Sequence, residues 1–368
     1  MPSLPKPSLF DPLDLSPALK LPNRIMMAPL TRGRATKAAV PTAIMGDYYA
    51  QRAGAGLIIG EATGISREGL GWPYAPGLWT QDQVEGWKPV VAAVHAAGGR
   101  IVAQLWHMGR VVHPDLGGGV PVAPSAITAP HRALTYDGHK EYVEPRAMSQ
   151  DDIERVVGDY ANAAKNAIAA GFNGVQIHGA NGYLVDQFLR ESANQRDDDY
   201  GGSIDNRLRF MREVTQAVIA EVGADRTSIR LSPNLDSQGA EDRHPEPLFV
   251  AVAAELERLG VPWIELRESG PQSTFQPSDT PPISPAMRKI YSGKIILNSD
   301  YDGPSADARM DEGIADGISF GRTYIANPDL AERIRVGASL NDADKDTFYT
   351  QGPEGYTDYP TLREQVAA

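Results

Sequence analysis

The sequence contains no cysteine among its 368 residues. Without a thiol the chain can form neither disulfides nor thiolate metal sites, and it has no thiol nucleophile. Iron–sulfur clusters, which proteins hold mainly through cysteine thiolates, are excluded by the same absence. The absence of cysteine therefore excludes several classes of redox and metal protein before any motif is considered, and no metal site is expected.

Positive charge and long hydrophobic stretches are also scarce. Lys and Arg number 35 against 47 Asp and Glu, a formal net charge of −12, which argues against a nucleic-acid or anionic-membrane partner. No apolar run approaches the ~20 residues of a transmembrane helix, and the opening MPSLPKP lacks the apolar core of a signal peptide. A cytoplasmic enzyme is the default expectation. We also expect small-molecule partners, and a chain that is either a monomer or a homodimer.

The chain does contain a regular alternation of short apolar runs with amphipathic stretches of helical period. The apolar runs are typical of strands that are buried on both faces. The predicted barrel strands are 24–29, 56–61, 100–106, 175–177, 227–232, 263–266, 294–297 and 317–321. This order predicts an α/β fold, a single (β/α)8 TIM-barrel domain over residues 1–368 with an N-terminal β-hairpin at 9–21.

Helices are predicted at 42–53, 83–97, 149–170, 203–222, 247–259, 285–291 and 305–312, with a last one after Asp329. The segment 108–148 interrupts this alternation after the third barrel strand. It is rich in glycine, proline and histidine, has no helical period, and is too long for an ordinary loop. Long inserted segments of this kind are usually functional, so we expect 108–148 to cap a site within the one domain.

The stretch GVQIHGANGY at 174–183 carries three chemically useful side chains where the fourth barrel strand ends. His178 and Asn181 can both donate hydrogen bonds to one carbonyl-like oxygen. Tyr183 can deliver a proton nearby. Taken singly, they could be a core histidine, a helix cap and a packed ring. Because the three converge at the C-terminal end of a barrel strand, they predict an active site.

Further motifs accompany the other predicted strands. They are MAPLT at 27–31, WPYAPG at 72–77, QLW at 104–106, Asn194, YGGSIDNR at 200–207, RLSP at 230–233, FGR at 320–322, NPD at 327–329 and GYTDYP at 355–360. In this order and spacing, and together with 178–183, they resemble the Old Yellow Enzyme family of FMN-dependent ene-reductases over nearly the whole chain. Within the family the chain is most similar to bacterial reductases of enals, enones, maleimides and some nitro compounds.

The resemblance implies FMN as cofactor and NADPH or NADH as reductant. The flavin would be bound by Ala28, Pro29, Thr31, Ala62, Gln104, His178, Arg230, Ser299, Gly321 and Arg322. The Thr31 hydroxyl would bond the flavin carbonyl near N5, and Gln104 would offer a donor and an acceptor to the pyrimidine edge. A glutamine in an otherwise apolar strand would be costly without such a partner.

Arg230 has an alternative partner in this flavin site, and the phosphate end departs from the family pattern. Arg230 lies in an apolar strand, where a buried guanidinium needs an anion. The resemblance makes reduced flavin, near N1 and O2, that anion; pairing with Glu265 or another core carboxylate is the alternative. At the phosphate end, Ser299 replaces the glycine common in the family, and the neighbouring Asp300 is unfavourable for a dianion.

The resemblance also implies a catalytic cycle. Hydride from the nicotinamide passes through FMN to the β-carbon of an α,β-unsaturated aldehyde or ketone, a maleimide or a nitroalkene. His178 and Asn181 would hold the substrate oxygen while Tyr183 protonates the α-carbon from the opposite face. Trp106 and Tyr349 would complete the substrate-binding set with these three residues, and Tyr74 and Phe275 are further candidate walls.

Some other functions stay open, and others are excluded. Another FMN barrel oxidoreductase, such as a nitroester or nitroaromatic reductase, would share the same site. Dihydroorotate-type dehydrogenases and 2-hydroxy-acid oxidases need a catalytic Cys/Ser base or a His–Arg pair that the strand order does not provide. Dienoyl-CoA reductase relatives need an iron–sulfur cluster, which the lack of cysteine excludes. A non-catalytic flavin-binding barrel and a flavin-free barrel aldolase are the remaining alternatives.

Overall fold

The computed structural model describes residues 7–274 and 276–367. The strands in chain order are β1 (Leu13–Ser16), β2 (Leu19–Leu21), β3 (Ile25–Met27), β4 (Leu57–Gly64), β5 (Ile101–Trp106), β6 (Val122–Ala123), β7 (Arg132–Thr135), β8 (Gly138–Glu141), β9 (Arg146–Ala147), β10 (Gly174–Gly179), β11 (Thr227–Leu231), β12 (Trp263–Arg267), β13 (Lys294–Asn298) and β14 (Gly317–Phe320). Eight of these, β3–β5 and β10–β14, form a closed parallel barrel in which β14 pairs with β3. The predicted TIM barrel is therefore confirmed.

The helices in chain order are α1 (Ala43–Gln51), α2 (Gln81–Ala96), α3 (Gln150–Ala169), α4 (Leu184–Leu189), α5 (Ile204–Val222), α6 (Pro245–Arg258), α7 (Ser284–Arg288), α8 (Gly303–Asp311), α9 (Arg322–Ala326), α10 (Leu330–Val336) and α11 (Leu362–Ala367). Hydroxyl caps start the two longest helices, α3 and α5, since Ser149 accepts from the Asp152 amide and Ser203 from the Asn206 amide. The short α9, directly after β14, was not predicted, because five residues are too few for a helical period. No helix among the described residues combines the length and hydropathy needed to cross a bilayer.

The N-terminal hairpin closes one end of the barrel. Strands β1 and β2 pair antiparallel, as predicted. Their leucines pack with Leu57 and Trp263, which begin β4 and β12, in one buried apolar cluster. Because this cluster fills the end where the strands start, the interior is accessible from the other end, where the strands finish. TIM barrels carry their sites at that C-terminal mouth.

The segment 108–148 is more ordered than its composition suggests. Strands β7 and β8 form an antiparallel hairpin, and β6 pairs in parallel with β9. The hairpin was missed at the sequence level although Asp137-Gly138 at its turn is a recognisable signal: Gly138 has a φ of 96°. The flanking strands lack the strong apolar alternation that would have supported it.

Candidate active site

His178, Tyr183 and Trp106 form one aromatic cluster at the barrel mouth. His178 is the penultimate residue of β10, and Trp106 ends the neighbouring β5. The ring centroids of His178 and Tyr183 are 5.0 Å apart and those of Trp106 and Tyr183 are 5.1 Å apart, both edge to face. The sequence prediction that these side chains share a site therefore corresponds to real proximity in the fold.

A tight left-handed turn places Asn181 beside this cluster. Asn181 and Gly182 have φ values of 60° and 74°. A β-carbon at residue 182 would stand 2.2 Å from the Ser237 carbonyl oxygen, so only glycine fits there. The backbone amide of Asn181 donates to Ser232 Oγ at 2.9 Å. Asn181 is not the cap of the following helix, as one alternative supposed, because Tyr183 occupies that position.

The environment of His178 keeps its imidazole neutral and fixes its tautomer. Burial, followed by the positive charges of Arg230 and Arg267, lowers the pKa of His178 well below its usual value. The Ala180 amide donates to Nδ1 at 3.4 Å. Since Nδ1 is then an acceptor, the single ring proton lies on Nε2. His178 is thus a neutral hydrogen-bond donor.

Asn181 is oriented by a residue that the sequence analysis did not identify. Arg267, the last residue of β12, donates from Nη1 to Asn181 Oδ1 at 2.6 Å. An arginine side chain can only donate, so the amide oxygen must face Arg267 and the Nδ2 group is directed elsewhere. The predicted strand ended at residue 266, one position too early. The polar alternation Glu265–Arg267 would have been the signal, because residues two apart share one face of a strand.

Tyr183 remains a protonated phenol across the physiological pH range. Burial, and then the nearby Tyr142 and Tyr349 side chains, raise the pKa of its hydroxyl. Tyr142 belongs to the segment 108–148 and packs with Trp106 and Tyr183 against one apolar cluster. A neutral phenol next to two neutral donors can give up a proton only to a strongly basic centre.

Arg230 forms the ion pair that was the alternative to a flavin partner. Its Nε lies 3.1 Å from Glu265 Oε2, and both side chains are buried. Its Nη2 donates to Asn298 Oδ1 at 2.6 Å. The Nε–H makes no well-aligned hydrogen bond among the described residues despite the short ion-pair distance. The guanidinium therefore has a protein anion as well as a donor still available for another acceptor.

Gln104 also has a protein partner, which corrects the argument that it required flavin. Its Nε2 donates to Gln176 Oε1 at 2.7 Å. Gln176 donates in turn to Glu265 Oε2 at 3.1 Å, and Ser319 Oγ donates to Glu265 Oε1 at 2.6 Å. Glu265 thus lies at the centre of a buried polar network across the barrel interior. Such pairings link strands far apart in sequence, which is why residue-level reasoning did not find them.

The candidate phosphate-binding residues lie after β13 and β14. Gly321 precedes α9, and Arg322 is its first residue. Arg322 forms an ion pair with Asp300 and donates to Thr274 Oγ1. Asp300 also accepts from the Thr274 amide at 2.6 Å. The half-buried Ser299 adjoins this pair, so a bound phosphate would have to compete with Asp300 for Arg322.

The remaining candidate flavin residues line the mouth between β14 and β5. Ala28 follows β3 and donates its amide to the Phe320 carbonyl at 3.0 Å; Pro29 and Thr31 continue from it, both half-buried. Ala62 lies at an irregularity of β4 and pairs in register with Gln104. All of them sit at the C-terminal ends of strands, as predicted.

The outer aromatic candidates are less buried. Tyr349 is 51 % exposed and its ring centroid is 5.1 Å from that of Trp72. Its segment is held by Arg32 and Arg34, whose guanidiniums donate to carbonyls between residues 347 and 355. Tyr74 contacts Tyr136 of the segment 108–148 at 5.1 Å. Phe275, the other candidate wall, lies outside the described residues.

The comparison with known proteins agrees with this geometry. The sequence profile of the NADH:flavin oxidoreductase / NADH oxidase family matches residues 8–341. The chain belongs to this family. It is an NAD(P)H-dependent flavin oxidoreductase of the Old Yellow Enzyme type, as the resemblance of its motifs indicated.

Solved structures and curated relatives match over almost the whole length. The old yellow enzyme homologue from Zymomonas mobilis is 54 % identical with a TM-score of 0.95, over 97 % of this chain and 100 % of that one. Morphinone reductase is 45 % identical with a TM-score of 0.93, over 99 % and 98 %. A putative 12-oxophytodienoate reductase 3 from Oryza sativa subsp. japonica is 44 % identical over 94 % of this chain and 91 % of its own.

FMN, the cofactor of this family, fits the residues that line the mouth. Arg230 offers a buried cation with a donor that makes no hydrogen bond among the described residues, which suits an electron-rich ring. Arg322 supplies a second cation at the end where barrels of this kind bind phosphate. No group of His, Asp and Glu side chains in the described part of the chain could hold a metal ion. The donor set therefore fits an organic anion such as FMN.

The Arg230–Glu265 pair makes a stability prediction. Arg230→Met leaves Glu265 buried without its cation, and breaking a buried pair in this way costs about 3–5 kcal/mol. Adding Glu265→Gln removes the uncompensated charge, so the double variant should regain most of that loss. Urea unfolding at pH 7 measures both. A double variant as unstable as Arg230→Met would show that the pair is not the source of the effect.

The same two variants separate stability from flavin binding. If Arg230 also contacts the flavin, the double variant keeps a more negative flavin midpoint potential or a lower flavin content even after its stability has recovered. If potential and content return together with stability, Arg230 acts only through the fold.

His178 makes the protein sensitive to acid. In the native state its pKa is lowered from the usual 6.5, so below that pH the unfolded chain binds a proton that the native chain does not. The free energy of unfolding must then fall as the pH falls below that value. Between pH 6.5 and 5.5 the contribution is about 1 kcal/mol. His178→Asn should lose correspondingly less stability over this interval, whereas the exposed His139→Asn should follow the unmodified protein. Parallel curves for all three proteins would contradict a neutral native His178.

Proposed function

We propose that this protein is an FMN-dependent ene-reductase. It uses NADPH or NADH to reduce activated alkenes, namely α,β-unsaturated aldehydes and ketones, maleimides and nitroalkenes. When bound, FMN supplies the hydride chemistry, accepting hydride from the nicotinamide and passing it to the alkene β-carbon. The observation that carries the proposal is the convergence of two neutral donors, His178 and Asn181, with the partly buried phenol of Tyr183 at one strand end.

The two donors would bind the oxygen of the electron-withdrawing group. The His178 Nε2–H is available because Nδ1 accepts from the backbone, and Asn181 directs Nδ2 away from Arg267. Hydrogen bonds to that oxygen draw electron density from the double bond and strengthen as negative charge develops on it. A neutral imidazole also loses no proton to the oxygen, so it remains a donor throughout.

Tyr183 would protonate the α-carbon. Its hydroxyl has a raised pKa, which keeps the proton in place until a carbon of enolate character forms beside it. Its ring is fixed edge to face against both His178 and Trp106. The proton would therefore be delivered from a defined direction, which the proposed mechanism takes to be opposite to the flavin.

The flavin would be held by the strand-end residues that the family resemblance names, Ala28, Pro29, Thr31, Ala62, Gln104, His178, Arg230, Ser299, Gly321 and Arg322. Trp106 and Tyr349 would line the substrate pocket. We further propose that the segment 108–148 caps this pocket. Supporting this role, Met108, Val111 and Tyr142 pack in the same apolar cluster as Trp106 and Tyr183.

The relatives support a nicotinamide as the reductant. A second structure of morphinone reductase, 46 % identical to this chain, is a complex with tetrahydroNAD. The test of the whole proposal is anaerobic. The purified protein should be yellow, should bleach with NADPH or NADH, and should regain its colour when an enone, a maleimide or a nitroalkene is added.

Each failure of this test points to a different alternative. A colourless protein that binds no added FMN would contradict every flavin function and leave a flavin-free barrel. A yellow protein that neither nicotinamide bleaches would be a passive flavin-binding barrel. Reoxidation by nitroesters or nitroaromatics but by no alkene would make it a different flavin reductase.

Replacing Tyr183 by Phe tests the proton donor. The variant should reduce enones far more slowly, while reduction of its flavin by the nicotinamide stays near normal, because only the second half-reaction needs this proton. Nitroalkenes should be least affected, since their nitronate product can take its proton from water. Stopped-flow absorbance at the flavin band separates the two half-reactions. Equal loss in both would remove Tyr183 from the proposed role.

Replacing both His178 and Asn181 by Ala tests the oxygen-binding pair. Phenols imitate the enolate and give a long-wavelength charge-transfer band over oxidised flavin, so their affinity can be titrated directly. Each lost hydrogen bond to a charged oxygen is worth roughly 1.5–3 kcal/mol. The double variant should therefore bind phenols much more weakly. Unchanged phenol affinity would mean that the two side chains do not form the oxyanion site.

A further inference from the structure

We propose that Arg267 is a positioning residue of this site, which locks the Asn181 side chain so that its Nδ2–H group faces the substrate oxygen. The inference rests on the proposed function and adds to it a residue outside the motifs that carried the family resemblance. Its basis is a chain of three hydrogen bonds at the mouth that runs from Asn181 through Arg267 and Gln276 to Ser237.

The strand geometry brings Arg267 to the rim of the interior polar network. Arg267 lies two residues beyond Glu265 on β12, so both side chains point to the same face of the strand. Glu265 pairs in register with Arg230, and Arg267 pairs in register with Asn298 at the end of β13. Arg267 therefore stands one layer nearer the mouth than the Arg230–Glu265 pair, at the level of the substrate site.

The Asn181 side chain needs such a restraint. The left-handed turn and the bond to Ser232 Oγ fix its backbone, but they leave the amide group free to rotate by half a turn. Rotation would exchange Nδ2–H, a donor, for Oδ1, an acceptor, at the substrate oxygen. Arg267 removes this choice, because its Nη1, 2.6 Å from Oδ1, could form no hydrogen bond with an Nδ2 group in that place.

Arg267 is itself held from the opposite side. Its Nη2 donates to Gln276 Oε1 at 3.1 Å, and Gln276 Nε2 donates to Ser237 Oγ at 2.9 Å. Ser237 is the residue whose carbonyl oxygen approaches Gly182 so closely that no side chain fits there. The chain of contacts thus returns to the loop that carries Asn181. A guanidinium tied at both ends has a defined position.

The burial of Arg267 does not remove its charge. Burial, and then the neighbouring Arg230, lower the pKa of Arg267 to about 10, so it remains protonated at neutral pH. It can therefore serve as a permanent donor to Asn181 at any pH at which the reductase is assayed.

A double-mutant cycle tests whether Arg267 acts through Asn181. The probe is 4-chlorophenol, titrated by its charge-transfer band in the flavin-loaded protein, so turnover is not needed. In the unmodified background, Arg267→Met should weaken phenol binding about ten-fold, which corresponds to ~1.4 kcal/mol. In the Asn181→Ala background, the same substitution should change it by less than about two-fold, because the group that Arg267 orients is gone. Equal losses in the two backgrounds, or no loss in the first, would overturn the proposal.

Two further variants exclude an indirect effect. Arg243→Met removes the same charge from an exposed side chain that pairs with Glu191, and it should leave phenol affinity unchanged. Arg267→Lys keeps the charge but loses the planar fork, so it should restore little of the affinity. Full recovery with lysine would show that charge alone matters and that Arg267 does not position the amide.

The inference remains testable if Arg267→Met fails to fold. Asn181→Asp keeps an acceptor for Arg267 but has no Nδ2–H, so it should bind the phenol at least as weakly as Asn181→Ala. Affinity equal to that of the unmodified protein would contradict the assigned donor. An unmodified protein without flavin, or without the charge-transfer band, would instead count against the proposed function itself.

Discussion

The buried ion pair of Arg230 and Glu265 is the interaction on which the interior of this barrel depends. Two charges removed from water are tolerated only when their remaining hydrogen-bonding groups are satisfied. Here Glu265 accepts from Gln176 and Ser319, and Arg230 donates to Asn298. The pair thereby connects β10, β11, β12, β13 and β14. It leaves a cation at the floor of the mouth although the chain as a whole is acidic.

The site is built in layers above this pair. The next layer holds His178, whose pKa is lowered first by burial and then by the cations beneath and beside it, so that it stays neutral. At the rim, Arg267 turns the Asn181 amide, and Tyr183 is packed between His178 and Trp106. The site thus has charge at its floor, an imidazole with a fixed tautomer above it, and an oriented amide at the rim.

The sequence was sufficient for the barrel, because uniformly apolar runs and helical periods are local signals. It also located His178, Asn181 and Tyr183, since all three follow one strand end. The sequence could not decide which of the possible partners Arg230 pairs with. Whether Arg230 faces a carboxylate depends on how strands 35 residues apart pair in register, and no local pattern records that. The β7–β8 hairpin was missed for a related reason, since its strands are too polar for the alternation that identifies a buried sheet.

The proposed mechanism depends most on the direction from which each hydrogen reaches the alkene. Reducing a 2-methyl cyclic enone with nicotinamide deuterated at the transferred position, and separately in heavy water with unlabelled nicotinamide, locates both hydrogens by NMR of the product. The geometry predicts the nicotinamide label only at the β-carbon, the solvent label only at the α-carbon, and a trans relation between them. A nicotinamide label at the α-carbon, or cis addition, would contradict a site in which Tyr183 faces the flavin across the substrate.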